Sequence, residues 1–100
     1  MKKVIPTAFP LDPEVLSPSH LGAAIKAART ATKMTLIEAA LSLGIAKQTL
    51  ADLERGKPTV SLGIALTCAR ELGVTIYVVP SGSRQLLRNL IMDSKNYQPF

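Results

Sequence analysis

Apolar residues recur every three or four positions through most of this chain, and the period breaks to a continuous apolar run only near residue 75. Leu21, Ala24, Ile25 and Ala28 share one face of a helix. Ser17-Pro18 marks its start: the serine can cap, and proline at the first helical position gives up an N–H that has no intrahelical partner. The spacing predicts this first helix as far as about Thr32. Upstream, Pro6, Pro10 and Pro13 block a helix. Residues 1–16 therefore read as an extended arm in which Val4-Ile5 can pair as a very short strand.

Thr35-Leu36-Ile37-Glu38 fits a capping box, with hydroxyl and carboxylate each accepting from the other residue's backbone N–H. It predicts a second helix to about Ser42. Gly44 supplies the left-handed backbone of a tight turn. A third helix follows from about Lys47 to Arg55, with Leu50 and Leu53 inward, ended by Gly56 and Pro58. A fourth runs from about Ser61 to Leu72, with Leu62, Ala65, Leu66, Ala69 and Leu72 inward, and Gly73 ends it. Val74, Thr75, Ile76, Tyr77, Val78 and Val79 are mostly β-branched or aromatic and predict a strand. Residues 81–92 predict one more short helix carrying Leu86, Leu87, Leu90 and Ile91. Asp93 to Phe100 reads as a frayed end. The expected organisation is an arm (1–16), one mainly α domain of four to five helices with a C-terminal strand (17–80), and a tail (81–100).

Composition changes this picture little. Hydrophobic residues are 47% and charged residues 19% of 100, which suits one globular domain. The formal net charge of +5 favours a polyanionic partner. The single cysteine, Cys68, excludes an internal disulfide and a cysteine-based zinc site, and reads as a small core or interface residue. The basic start Met1-Lys2-Lys3 is not followed by the apolar run of a signal peptide, and no stretch approaches a membrane span of roughly 20 apolar residues. The expectation is a cytoplasmic protein without membrane contact. His20 stands alone as a solvated or first-turn residue. Ser17, Ser19 and Ser61 read as caps with no base beside them, and neither a glycine-rich phosphate loop nor metal-ligand spacing is present. No enzyme activity, cofactor or metal is expected.

The informative constellation is Ala40, Gly44 and Leu50. Two helices that cross steeply through a short turn need a small residue on the first, a glycine in the turn and an apolar plug on the second. All three stand in register between a capping box and a terminal glycine. The stretch Met34 to Val74 resembles the XRE/Cro-type helix-turn-helix family, the fold of phage repressors. Leu53-Glu54-Arg55-Gly56-Lys57 and the helix ending Glu71-Leu72-Gly73-Val74 carry that likeness. With the first helix it covers about three fifths of the chain.

The resemblance implies a reader of double-stranded operator DNA. It places Ala46, Lys47, Gln48, Ala51 and Asp52 at base edges, and Thr49 beside them can reach a base edge or a phosphate. Lys47 suits guanine O6/N7, Gln48 suits adenine N6/N7, and Asp52 can accept from cytosine N4. It places Lys33, Thr35, the backbone near Leu36, Arg55 and Lys57 at phosphates. Arg29 and Glu54 match a structural ion pair, with a phosphate contact as the other reading of Arg29. Two positions depart from the family: Leu36 stands where a phosphate-holding glutamine is usual, and Ala46 where a Ser or Thr cap is usual.

A lone strand at 74–79 needs a partner, either a second copy of itself or residues 4–5. A two-fold dimer would then read a palindrome. The ending at 71–79 is also similar to HipB-type antitoxins, which repress their own operon and bind a HipA-type kinase toxin. Leu86, Leu87, Leu90 and Ile91 are then either a partner-docking stripe or a cover for their own dimer. Two other readings stand beside this one: a free-standing regulator without a toxin, and a protein-interaction module whose main role is toxin neutralisation.

Overall fold

The computed structural model describes residues 3–93, and the predicted frayed end lies outside them beyond Asp93. Five helices follow in order: α1 (Pro18–Ala31), α2 (Leu36–Leu43), α3 (Lys47–Glu54), α4 (Leu62–Leu72) and, after a single 3-10 turn at Ser81–Ser83, α5 (Arg84–Met92). Their starts follow the local chemistry. Ser17 Oγ accepts from His20 N–H, with Pro18 in the first turn, and Ser61 Oγ accepts from Ile64 N–H. Both halves of the Thr35/Glu38 capping box are made, at 3.2 and 2.8 Å. α2 and α4 end on Gly44 and Gly73, at φ of 72° and 90°. These left-handed values would strain a residue with a Cβ.

The core is built mostly from alanine. Ile25, Leu50 and Cys68 are fully buried, and Ala24, Ala28, Ala39, Ala40, Ala65 and Ala69 pack around them. Small side chains let the helices approach closely. The approach is tightest at Gly22 of α1, where a Cβ would lie 2.6 Å from the Glu54 carbonyl oxygen of α3, well inside contact distance. Burial pushes the Cys68 thiol above its ordinary pKa, helped by the negative charge of Glu54. That makes it a small apolar filler and not a reactive group.

One ionic group sits inside this packing. Arg29 Nε and Nη2 donate to the two Glu54 carboxylate oxygens at 2.7 and 2.9 Å, and Nη1 donates to the Met34 carbonyl at 2.8 Å. Both side chains are nearly dry, 7% and 5% exposed. The guanidinium thus ties the end of α1 to the end of α3 and to the turn before α2.

The arm lies along this bundle. Thr7 N–H donates to the buried Thr30 hydroxyl at 3.0 Å, Phe9 packs on the core, and the His20 ring meets the Asp12 carbonyl at 2.8 Å. His20 lies in the first turn of α1, one of the two places the sequence suggested, and its ring is engaged and half-buried, not solvated. Ser19 lies within α1, its backbone and hydroxyl close against Gly56, and is not a cap. At its far end the arm meets α5: Arg88 contacts Asp12 at 2.7 Å and Glu14 at 3.9 Å, and Arg84 contacts Glu14 at 3.8 Å.

Two further expectations need correction. No strand is present among the described residues, at Val74, Thr75, Ile76, Tyr77, Val78 and Val79 or at Val4-Ile5. The segment has the composition of a strand, but a strand is defined by a ladder, and none forms with it among the described residues. Only Val74 is buried, while Tyr77 and Val78 are 78% and 94% exposed. In α4, Leu62 and Leu66 are exposed and not inward. The inward stripe is Ala65, Cys68, Ala69 and Leu72, spaced three and four apart, and the two leucines lie on its flank.

Replacing Arg29 with alanine leaves Glu54 buried without a partner. We expect urea unfolding to show a loss of about 3–5 kcal/mol, and a loss below about 1 kcal/mol would refute this account of the pair. The Glu38 carboxyl is held below its ordinary value of 4.5, first by the Thr35 backbone N–H and then by the Thr35 hydroxyl. Its contribution to stability is complete above that value and is lost as pH falls through the lower folded one. Urea melts of wild type and Glu38→Gln should therefore differ at pH 7 and converge as the pH falls below the lowered folded value of this carboxyl.

Candidate nucleic-acid interface

α2 and α3 are joined by the short turn Gly44–Ala46. The Ile45 N–H donates to the Ala40 carbonyl at 3.0 Å and Gly44 N–H to Leu41 at 3.2 Å, closing the end of α2. Ala40 is buried beneath the crossing. α3 sinks Leu50 and Leu53 into the core. Its period then forces Lys47, Gln48, Ala51, Asp52 and Arg55 to the other side. Ala46, Lys47 and Gln48 are exposed, while Thr49, Ala51 and Asp52 are half-buried beside them.

The C-terminal half of that outer face is a charge network centred on Asp52. Its Oδ1 accepts from Gln48 Nε2 at 2.9 Å and from Arg55 Nη2 at 2.7 Å, and Lys57 Nζ stands 3.6 Å from Oδ2. The Gln48 hydrogen bond, followed by the nearby Lys57 and Arg55 charges, holds the Asp52 carboxyl below its ordinary range against the opposing effect of desolvation. The cations remain open to solvent, with Arg55 67% and Lys57 56% exposed. An open cleft of about 240 Å³ adjoins them, lined by Thr49, Asp52, Lys57, Thr59, Ser61 and Ile64 among others. Sequence reading missed Thr59 and Ser61 as neighbours of this face, and it missed the Gln48–Asp52 bond. The i, i+4 spacing of glutamine and aspartate was the available signal.

The remaining predicted contacts are spread around the start of α2. Lys33 is exposed in the α1–α2 turn, on a left-handed backbone with φ of 64°. Thr35 spends its hydroxyl on the cap. The Leu36 side chain packs against the core, so only its backbone is available to an anion. Arg29 is turned inward with its three nitrogens engaged, which removes the phosphate reading of that residue. Among the described residues no group of three or more His, Cys, Asp or Glu is placed to hold a metal ion. No helix there is long and apolar enough to cross a membrane.

Residues 25–79 match the profile of the helix-turn-helix family. A curated relative, the uncharacterised HTH-type transcriptional regulator y4mF of Sinorhizobium fredii, is 30% identical over 71 residues, spanning 71% of this chain and 93% of the relative. Among solved structures, chains of a HipB-O4 20mer complex and of a HipA-HipB-O2-O3 complex each align with a TM-score of 0.60. Each does so at 22% identity, covering 68% of this chain and 96% of the other, which is a likeness of fold.

Ala46 occupies the N-cap of α3 at φ −68° and ψ 144° with no side-chain cap bond. That backbone is already the one a capping residue uses. Ala46→Ser should raise stability by about 1 kcal/mol in chemical denaturation, and no gain would show that the first turn of α3 cannot receive a cap.

Proposed function

The chain belongs to the XRE-type helix-turn-helix family of DNA-binding regulators, and from that membership we propose that it is a transcriptional repressor that lays α3 in the major groove of a palindromic operator as a homodimer. The observation that carries this reading is the outward face of α3, where Lys47 and Gln48 stand exposed at the N-terminal end with no core role. Lys47 donates to guanine acceptors and Gln48 reads adenine, with Ala46, Thr49 and Ala51 completing the surface against the base edges. Lys33, Arg55, Lys57 and the backbone at Thr35 and Leu36 hold the flanking phosphates.

What supports the dimer is the exposed C-terminal segment. Ile76, Tyr77 and Val78 are exposed together, and pairing residues 74–79 with the same segment of a second copy would supply the missing ladder. Beyond the dimer, we assign the chain the role of antitoxin in a HipBA-like operon that it represses itself. What supports this is the shared fold with chains of solved HipB complexes, one of which also contains HipA. The exposed Leu86 and Leu90 on α5 suit an apolar partner such as a kinase toxin.

Titration of the full chain against duplex DNA from upstream of its own gene should give salt-dependent binding. Lys47→Ala and Gln48→Ala should each weaken it roughly 5- to 150-fold, the range of one bidentate base contact. Absence of any salt-dependent binding to duplex DNA would sink the repressor reading, because phosphate neutralisation must give a negative salt slope.

A further inference from the structure

Gln48 does not stand free at the end of α3. Its amide nitrogen donates to Asp52 Oδ1 at 2.9 Å, and Asp52 is itself anchored. Arg55 holds the same oxygen at 2.7 Å, Lys57 faces the other at 3.6 Å, and the aspartate side chain is only 16% exposed. The carboxylate is thus a fixed point on a helix face, and the glutamine hangs from it.

An amide side chain has two ways to meet a purine in the major groove. With Oε1 and one Nε2 hydrogen it matches adenine, which offers the N6 donor and the N7 acceptor. With both Nε2 hydrogens it matches guanine, which offers two acceptors, O6 and N7. A glutamine with an unbound amide has both modes. One whose second Nε2 hydrogen is already given to a carboxylate keeps only the first. We propose that Asp52 is a specificity-determining positioning residue, which by taking one Gln48 N–H leaves that side chain able to read adenine and unable to read guanine.

This rests on the DNA-binding reading above, and it gives Asp52 a different task from direct contact with a base. Both of its oxygens face groups of its own chain, so little acceptor capacity is left for cytosine N4. It also explains how an acidic side chain is tolerated on a surface meant for a polyanion. Arg55 and Lys57 neutralise it locally, so phosphate repulsion is muted. The same arrangement costs the protein some of its cationic reach, since two of its phosphate-directed side chains are partly engaged.

The test uses the full chain and a pool of randomised duplexes, from which the preferred sequence is selected and the base pair read by Gln48 is found as the one whose preference disappears in Gln48→Ala. At that pair wild type should favour adenine over guanine roughly 5- to 150-fold. In Asp52→Ala the ratio should fall to within about threefold, while low-salt binding to non-specific duplex persists and shows that the variant is folded. Asp52→Asn keeps an acceptor oxygen but no charge. It should restore most of the adenine preference, while the salt slope steepens by about 0.9 for each phosphate contact that Arg55 or Lys57 newly makes. Undiminished adenine preference in Asp52→Ala would overturn the proposal. So would a loss confined to a different base pair, which would mark Asp52 as a direct reader. Wild-type protein that binds no duplex in a salt-dependent way defeats the repressor reading itself, an outcome separate from these.

Discussion

Arg29 and Glu54 meet between the ends of α1 and α3, and the guanidinium's remaining edge closes the turn that launches α2. A buried ion pair adds little net stability, because the loss of hydration offsets most of the attraction. What it supplies is position. Two hydrogen bonds in one plane admit one relative placement of the helices that carry them. The pair therefore specifies where α3 stands, and every side chain proposed to read a base is on α3 or at its N-cap.

An alanine-rich core makes that placement necessary. Leucine and isoleucine interlock, and their shapes select one packing among many; alanines slide more easily past one another. Here Ile25 and Leu50 are among the few large side chains fully enclosed. The close pass at Gly22 and the fork of Arg29 supply the registration that a bulkier core would have supplied through shape. The fold can thus keep its helices near one another and still hold α3 in a single pose.

The parts of this fold that depend on nearest neighbours in the chain were legible before any coordinates. Caps at Ser17, Thr35 and Ser61 and the left-handed glycines at 44 and 73 involve contacts within four residues, so sequence spacing describes them fully. The exposed stripe of α3 was legible for the same reason, since burying Leu50 and Leu53 turns Lys47 and Gln48 outward. The segment 74–79 misled because β-branched composition reports a preference of each residue, whereas a strand requires a second backbone, and composition carries no information about that. Leu62 and Leu66 misled because period alone does not say how wide the covered stripe is. The clasp between Asp12, Glu14, Arg84 and Arg88 was invisible, as its members lie about seventy residues apart along the chain.

That clasp divides the molecule into two regimes. Residues 18–74 cohere through burial, which dissolved ions barely affect. α5 has no buried residue and is joined to the arm by ion pairs at the water boundary, which mobile ions weaken within a Debye length of about 8 Å in physiological salt. The attachment of this helix through Asp12, Glu14, Arg84 and Arg88 therefore weakens as the ionic strength rises, while the burial that holds α3 against the core does not depend on it. A chain so built has one part held by burial and another held by surface charge, and the two answer differently to the ions around them.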